Sequence, residues 1–135
     1  MKTKNTLYLT MAISGSGKSW YIKNKMREDF SGLDSYLTKN DLDISVLVVS
    51  PDIIRRELTG DVNDHSKEAQ IWKSLVYTRT KAVLKEHGFC IFDSTFVSKR
   101  REFLKHFKNV KKIGLVFKPD IDLSWERITE DMNLR

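Results

Sequence analysis

At 135 residues the chain has the size of one domain with a full core, so a single domain rather than a two-domain enzyme is expected. Apolar residues make up 40% and charged residues 31%, with 6 Gly and 2 Pro, the balance of a soluble globular protein rather than of a linker or a disordered segment. Lys and Arg number 24 against 18 Asp and Glu, a net charge of +6, and the stretch Ser98–Lys112 alone holds seven bases (Lys99, Arg100, Arg101, Lys105, Lys108, Lys111, Lys112) against Glu102, so the whole excess is local. A local basic band suits a polyanionic partner, because each cation set against a phosphate releases counterions. By itself such a run is equally the solvated face of a helix.

The single cysteine, Cys90, cannot close an intrachain disulfide, and the polar start MKTKN has no apolar signal core, so a cytoplasmic protein is expected. No apolar run approaches the ~18 residues of a membrane span, and no membrane partner is expected.

In chain order, Thr6–Ile13 reads as a strand running into the turn Ser14-Gly15-Ser16-Gly17. Lys18 to about Asp29 reads as a helix with Tyr21, Ile22 and Met26 on one stripe, and the weakly periodic Ser31–Asp43 reads as a connection. Ser45–Val49 is a β-branched run of the kind buried on both faces of a parallel sheet. Ser50-Pro51 suits the cap and first position of a helix that Gly60 ends, with a loop to His65. Ser66–His87, with apolar residues returning every three to four positions and Gly88 closing it, predicts a longer helix. Phe89–Phe92 predicts a strand ending at Asp93, Ser98–Lys108 a basic helix, Lys112–Phe117 a strand, and Pro119-Asp120 the start of a last helix through Trp125. Trp20, Trp72 and Trp125 are expected on helices and in the core, and His65, His87, His106 and Cys90 show no metal or nucleophile spacing. Strands alternating with helices predict an α/β fold: one open, mostly parallel sheet with helices on both faces, and ligands at the carboxyl ends of its strands.

The residues that follow those strands form a set suited to phosphate transfer. Ala12-Ile13-Ser14-Gly15-Ser16-Gly17-Lys18-Ser19 is the phosphate loop G-x-x-x-x-G-K-[ST] with alanine at the first glycine. Its glycines let successive N–H groups face phosphate oxygens, Lys18 reaches the β- and γ-phosphates, and the Ser19 hydroxyl suits Mg²⁺. After the next strand, Asp52 stands in the first turn of a helix with Arg55 and Arg56 three and four residues on, a carboxylate able to accept a proton beside a fork able to hold a phosphate. Asp93 closes the following strand, where such enzymes bind Mg²⁺ through water or orient another group.

The phosphate loop SGSGKS, Ser50-Pro51-Asp52-x-x-Arg55 with Leu58-Thr59-Gly60-Asp61 and Asn63-Asp64, and Ile91-Phe92-Asp93-Ser94-Thr95 with Lys99-Arg100-Arg101 together resemble the 5′-hydroxyl polynucleotide kinases of phages and their bacterial relatives, over nearly the whole chain. The resemblance implies a P-loop NTPase (kinase) fold in one domain over 1–135, ATP or another NTP with Mg²⁺ as cofactors, and a 5′-hydroxyl end of DNA or RNA as partner. It implies donor binding by Ser14 through Ser19, Asp52 as general base, Arg55 on the acceptor's phosphate, Asp93 positioning that arginine, and Ser19 and Asp93 near the metal. That family carries asparagine where Thr95 stands, and an arginine-bearing lid helix for which Arg127 and Arg135 are the candidates, beside an unexpected Glu130-Asp131, so the lid region is expected to be incomplete. A small-molecule or nucleotide kinase on the same fold, and a catalytically weak nucleotide-binding module, remain open alternatives.

Overall fold

The computed structural model describes residues 5–12, 18–94, 103–117 and 125–128. Among these residues five strands form one sheet in the order β2-β3-β1-β4-β5: β1 is Thr6–Ala12, β2 Val48–Val49, β3 Phe89–Ser94, β4 Lys111–Phe117 and β5 Trp125–Ile128. The first four run parallel, and β5 pairs antiparallel on the far edge of β4. The mixed helix and strand composition and the parallel sheet agree with the α/β expectation. Among the described residues, no helix is long and apolar enough to cross a membrane.

Strand β1 is central, its register running Leu9↔Phe92 on one side and Leu9↔Gly114 on the other. Alternate side chains enter two different cores, as the pleat requires of a strand covered on both faces. Leu7 and Leu9 join Cys90 and Phe92 on the first face, whereas Tyr8 joins Ile91, Ile113 and Leu115 on the second.

The second face is covered by the chain between β1 and β2: α1 (Lys18–Asn24), α2 (Met26–Asp29) and α3 (Ser31–Asn40), with Tyr21, Ile22, Met26, Leu33 and Leu37 buried. The expected single helix over 18–29 is thus broken at Lys25. The expected connection over 31–43 is mostly helix, and Leu33 and Leu37, four residues apart, are fully buried in the core while Tyr36 and Leu42 pack against it. Two apolar residues make a faint stripe in sequence, but one helical turn aligns them.

Over Ser45–Val49 the expected strand is reduced to the two residues of β2, because a 3₁₀ turn occupies Ile44–Leu47. Asp43 caps that turn, accepting from the Ser45 amide at 3.1 Å and from its hydroxyl, and the tight turn points Ile44 and Leu47 into the core together.

The first face is covered by α4 (Pro51–Thr59), α5 (Glu68–Gln70), a π-type turn over Ile71–Leu75 and α6 (Val76–His87). The expected helix over 66–87 is present but interrupted by that wider turn. Ile71, Trp72, Val76 and Tyr77 all enter the first core from the interrupted stretch. Ser50 caps α4 as expected, and Gly60 and Gly88 close α4 and α6 in the left-handed region.

Phe103 and Leu104 are helical, but the chain turns at Lys105–His106, so within the described residues the basic helix ends before Lys108. Phe103 stacks on Phe92 with centroids 4.1 Å apart and is fully buried. Trp72 is core, but Trp20 is 49% exposed, so that part of the tryptophan expectation fails. Trp125 lies on β5 and not on a helix, because the chain from Trp125 to Ile128 takes up the free edge of β4. The start of that expected helix, at Pro119-Asp120, is outside the described residues.

Gly60 has φ +82° and an added Cβ would meet nothing within 4 Å, so Gly60→Ala tests backbone strain alone. The variant is expected to lose about 1–2 kcal/mol of stability in urea denaturation, the cost of holding an L side chain in the left-handed region.

Candidate functional site

The two faces locate a crevice. The chain leaving β1 crosses on the second face, whereas the chain leaving β3 returns over the first through Phe103–Phe107, and β1 and β3 are neighbours. Their carboxyl ends are therefore the topological switch point, where open α/β sheets bind ligands.

Thr10 and Asp93 face each other at that point in register. The Thr10 hydroxyl donates toward Asp93 Oδ1 and the Phe92 carbonyl, each at 3.3 Å. Asp93 also lines a cavity of about 370 Å³ with Ile22, Lys23, Asp43, Ile44 and Ser45. Hydrogen bonds from Ser45 hold the Asp43 carboxyl below its usual range, so the cavity mouth carries an ionised acid near Lys23. Among the described residues no group of three or more His, Cys, Asp or Glu could hold a metal ion. Mg²⁺ needs no such cage, since it keeps several waters and takes one or two protein oxygens, which the Asp93 carboxylate beside the Thr10 hydroxyl can supply.

Lys18 opens α1, the helix that follows β1, and Ser19 is its second residue. The turn itself, Ser14, Gly15, Ser16 and Gly17, lies outside the described residues, as do Thr95, Lys99, Arg100, Arg101 and Arg135. Arg127 sits on β5 opposite Leu115.

A second cluster grows from α4. Ser50 accepts from the Ile53 amide, Pro51 fills the first turn, and Asp52 stands at the helix start with its side chain 66% exposed. Arg55, one turn later, is 1% exposed, and a charge so deep must be paired. Its Nη1 donates to Asp52 Oδ1 at 2.6 Å and to the Val62 carbonyl at 3.4 Å, while its Nε donates to Glu68 Oε1. Glu68 is held in turn by Trp72 Nε1, which donates to Oε2 at 3.0 Å, and by His65 Nδ1 at 3.3 Å. Arg55 Nη2 is buried and has no hydrogen-bond partner among the described residues.

The structure thus joins Asp52 to Arg55, and the residues that position Arg55 are Glu68 and Asp52. Among the described residues, the side-chain bonds of Arg55 go to Glu68, Asp52 and the Val62 carbonyl and not to Asp93. Glu68 was missed in the sequence, where its one signal is Trp72 four residues on, a spacing that puts the two on one helix face. Cys90 is buried in β3, and burial pushes its thiol up to about 12.

The ion pair couples stability to pH. The hydrogen bond from Arg55, the largest cause, holds the Glu68 carboxyl below its usual range. A depressed carboxyl contributes stability above its unfolded value of about 4.3, and the contribution is lost as pH falls through the folded value. Glu68→Ala leaves a buried cation short of a partner and is expected to cost about 3 kcal/mol at neutral pH in urea denaturation. Glu68→Gln, which keeps an acceptor for Arg55, is expected to cost less and to flatten the loss of stability below about pH 4.

Against known proteins, the chain matches no family model and no curated protein.

Proposed function

We propose that this chain is an ATP-dependent phosphotransferase that moves the γ-phosphoryl group of an Mg²⁺-bound nucleoside triphosphate to the 5′-hydroxyl end of DNA or RNA. The observation that carries this reading is convergence at one edge of the sheet. Lys18 and Ser19 open the helix after β1, Asp52 and Arg55 lie on the helix after β2, and Asp93 is the last residue but one of β3, so each follows or closes a parallel strand on the carboxyl side of the sheet.

In this reading the loop amides, Lys18 and the start of α1 hold the triphosphate. Mg²⁺, when bound near Ser19 and Asp93, neutralises charge on the phosphate oxygens. Asp52 accepts the proton of the acceptor hydroxyl as its oxygen bonds to the γ-phosphorus, and the bond to the β-phosphate oxygen breaks to release the diphosphate. Its exposure leaves Asp52 open to an acceptor, while the 2.6 Å bond from Arg55 fixes its orientation. Arg55 is too buried in this conformation to grip a phosphate with its whole fork, so it acts first through Asp52. Arg127 and Arg135 remain the candidates for a cation over the transferred group.

Single-turnover transfer of labelled γ-phosphate to a panel of oligonucleotides tests the reading. Lys18→Ala is expected to slow transfer by roughly 10²–10³, in the range of other single electrostatic stabilisers. Asp52→Asn, which keeps shape but not proton acceptance, is expected to slow the chemical step by roughly 10²–10⁴ while acceptor affinity stays the same. Faster phosphorylation of a free nucleoside or a sugar than of any oligonucleotide end would make the chain a small-molecule kinase. Nucleotide binding without transfer to any acceptor would make it a binding module.

A further inference from the structure

A groove lies at the opposite end of the sheet. It encloses about 760 Å³ and is walled by Asn5, Gly88 and Val110, the residues just before β1, β3 and β4. Lys81 and Lys85 line it from α6, and Lys105 and Lys108 from the chain after Phe103. All four lysines are exposed, and among the described residues none of their side chains makes a hydrogen bond or an ion pair. Among the described residues that line the groove, the one acid is Glu86. Sequence spacing could pair Lys105 with Lys108, but only the fold brings Lys81 and Lys85 to the same wall.

The groove also offers a ring. His106 is exposed on its lining and lies flat on Tyr77, centroids 4.0 Å apart and planes at 27°. Tyr77 stacks in turn on buried Phe103 at 5.5 Å. The imidazole is therefore held by a ladder of rings anchored in the core, its position fixed before any ligand arrives.

We propose that this groove binds single-stranded nucleic acid, with the four lysines along the phosphodiester backbone and a base stacked on His106. Unpaired lysines alone would suit any polyanion; a fixed aromatic platform beside them selects an unpaired base, the combination by which single-strand grooves work. Lys81 and Lys85 are one helical turn apart, ~5–6 Å between Cβ atoms, so they can meet different phosphates of one strand. The site goes beyond the phosphotransfer reading and stands without it, since it shares no residue with the carboxyl edge.

Binding of a fluorescent oligothymidine of about twenty nucleotides, longer than common single-strand site sizes, is measured without nucleotide over a range of salt. Replacing Lys81, Lys85, Lys105 and Lys108 with glutamine is expected to weaken binding and to lower the salt slope by about 0.7 for each lysine that meets a phosphate. His106→Ala is expected to weaken oligothymidine binding roughly tenfold with the salt slope unchanged, and to leave inorganic polyphosphate binding as it was. His106→Phe should restore it. Lys18→Ala should bind oligothymidine like the parent chain, so loss of transferase activity and loss of this site are separate results. An unchanged slope in the fourfold variant would overturn the proposal. Equal loss of polyphosphate and oligothymidine in His106→Ala would reduce the groove to a general anion surface and overturn it as well. Matching thermal melts of parent and variants confirm that exposed side chains alone were changed.

Discussion

Strand β1 is paired on both edges and buried on both faces, and that constraint orders the rest of the molecule. A strand with no free side can be followed only by chain that leaves the sheet, and each face must be covered by a different stretch. The segment after β1 covers the face of Tyr8, and the segments after β2 and β3 cover the face of Leu7 and Leu9. Because right-twisted parallel strands accept right-handed crossovers, moving toward β2 on one face and toward β4 on the other follows directly. The gap between the ends of β1 and β3 is the geometric residue of that choice, and Thr10 and Asp93 occupy it.

A second constraint is the depth of Arg55. A guanidinium with 1% exposure requires partners, and it recruits Asp52 from its own helix, the Val62 carbonyl from the following loop and Glu68 from the next element. One buried cation therefore ties α4, the loop after Gly60 and the start of α5 into a unit. Glu68 also accepts from Trp72, so the unit is fastened to the π-type turn, a local widening of the kind found often at functional sites. The outcome is an exposed Asp52 carboxylate whose direction is fixed from beneath. In the proposed phosphotransfer, a base held in this way would lose little freedom when an acceptor arrives, which is what positioning catalysis requires.

The two ends of the parallel strands differ in chemistry. The carboxyl edge collects Asp93, Asp43 and Asp52 with hydroxyls and helix starts, whereas the amino edge collects four lysines against the one acid, Glu86, among the described residues of the groove. The basic band Ser98–Lys112 is divided by the fold: Lys105 and Lys108 face the groove, but Lys112 is buried with its Nζ donating to the Val110 carbonyl at 3.0 Å. A run of like charge in sequence thus becomes part surface and part scaffold.

Local signals in the sequence determined the punctuation of the chain. Ser50-Pro51 and Gly60, Gly88, and the apolar runs of β1, β3 and β4 act within a few residues of themselves, through capping geometry, left-handed φ and the pleat, so they are legible without a partner. The alternation that they impose already requires a parallel sheet with covered faces. What depended on partners distant in the chain was decided only by the tertiary structure. Val46 and its neighbours lost their strand to the cap from Asp43 and to a core wanting Ile44 and Leu47. Leu33 and Leu37 made a helix because a face needed cover, and Trp125 joined a strand because β4 had a free edge. Asp52 and Arg55 could be picked out three residues apart, but Glu68 could not, since its worth lies in reaching a guanidinium thirteen residues away whose burial only packing creates.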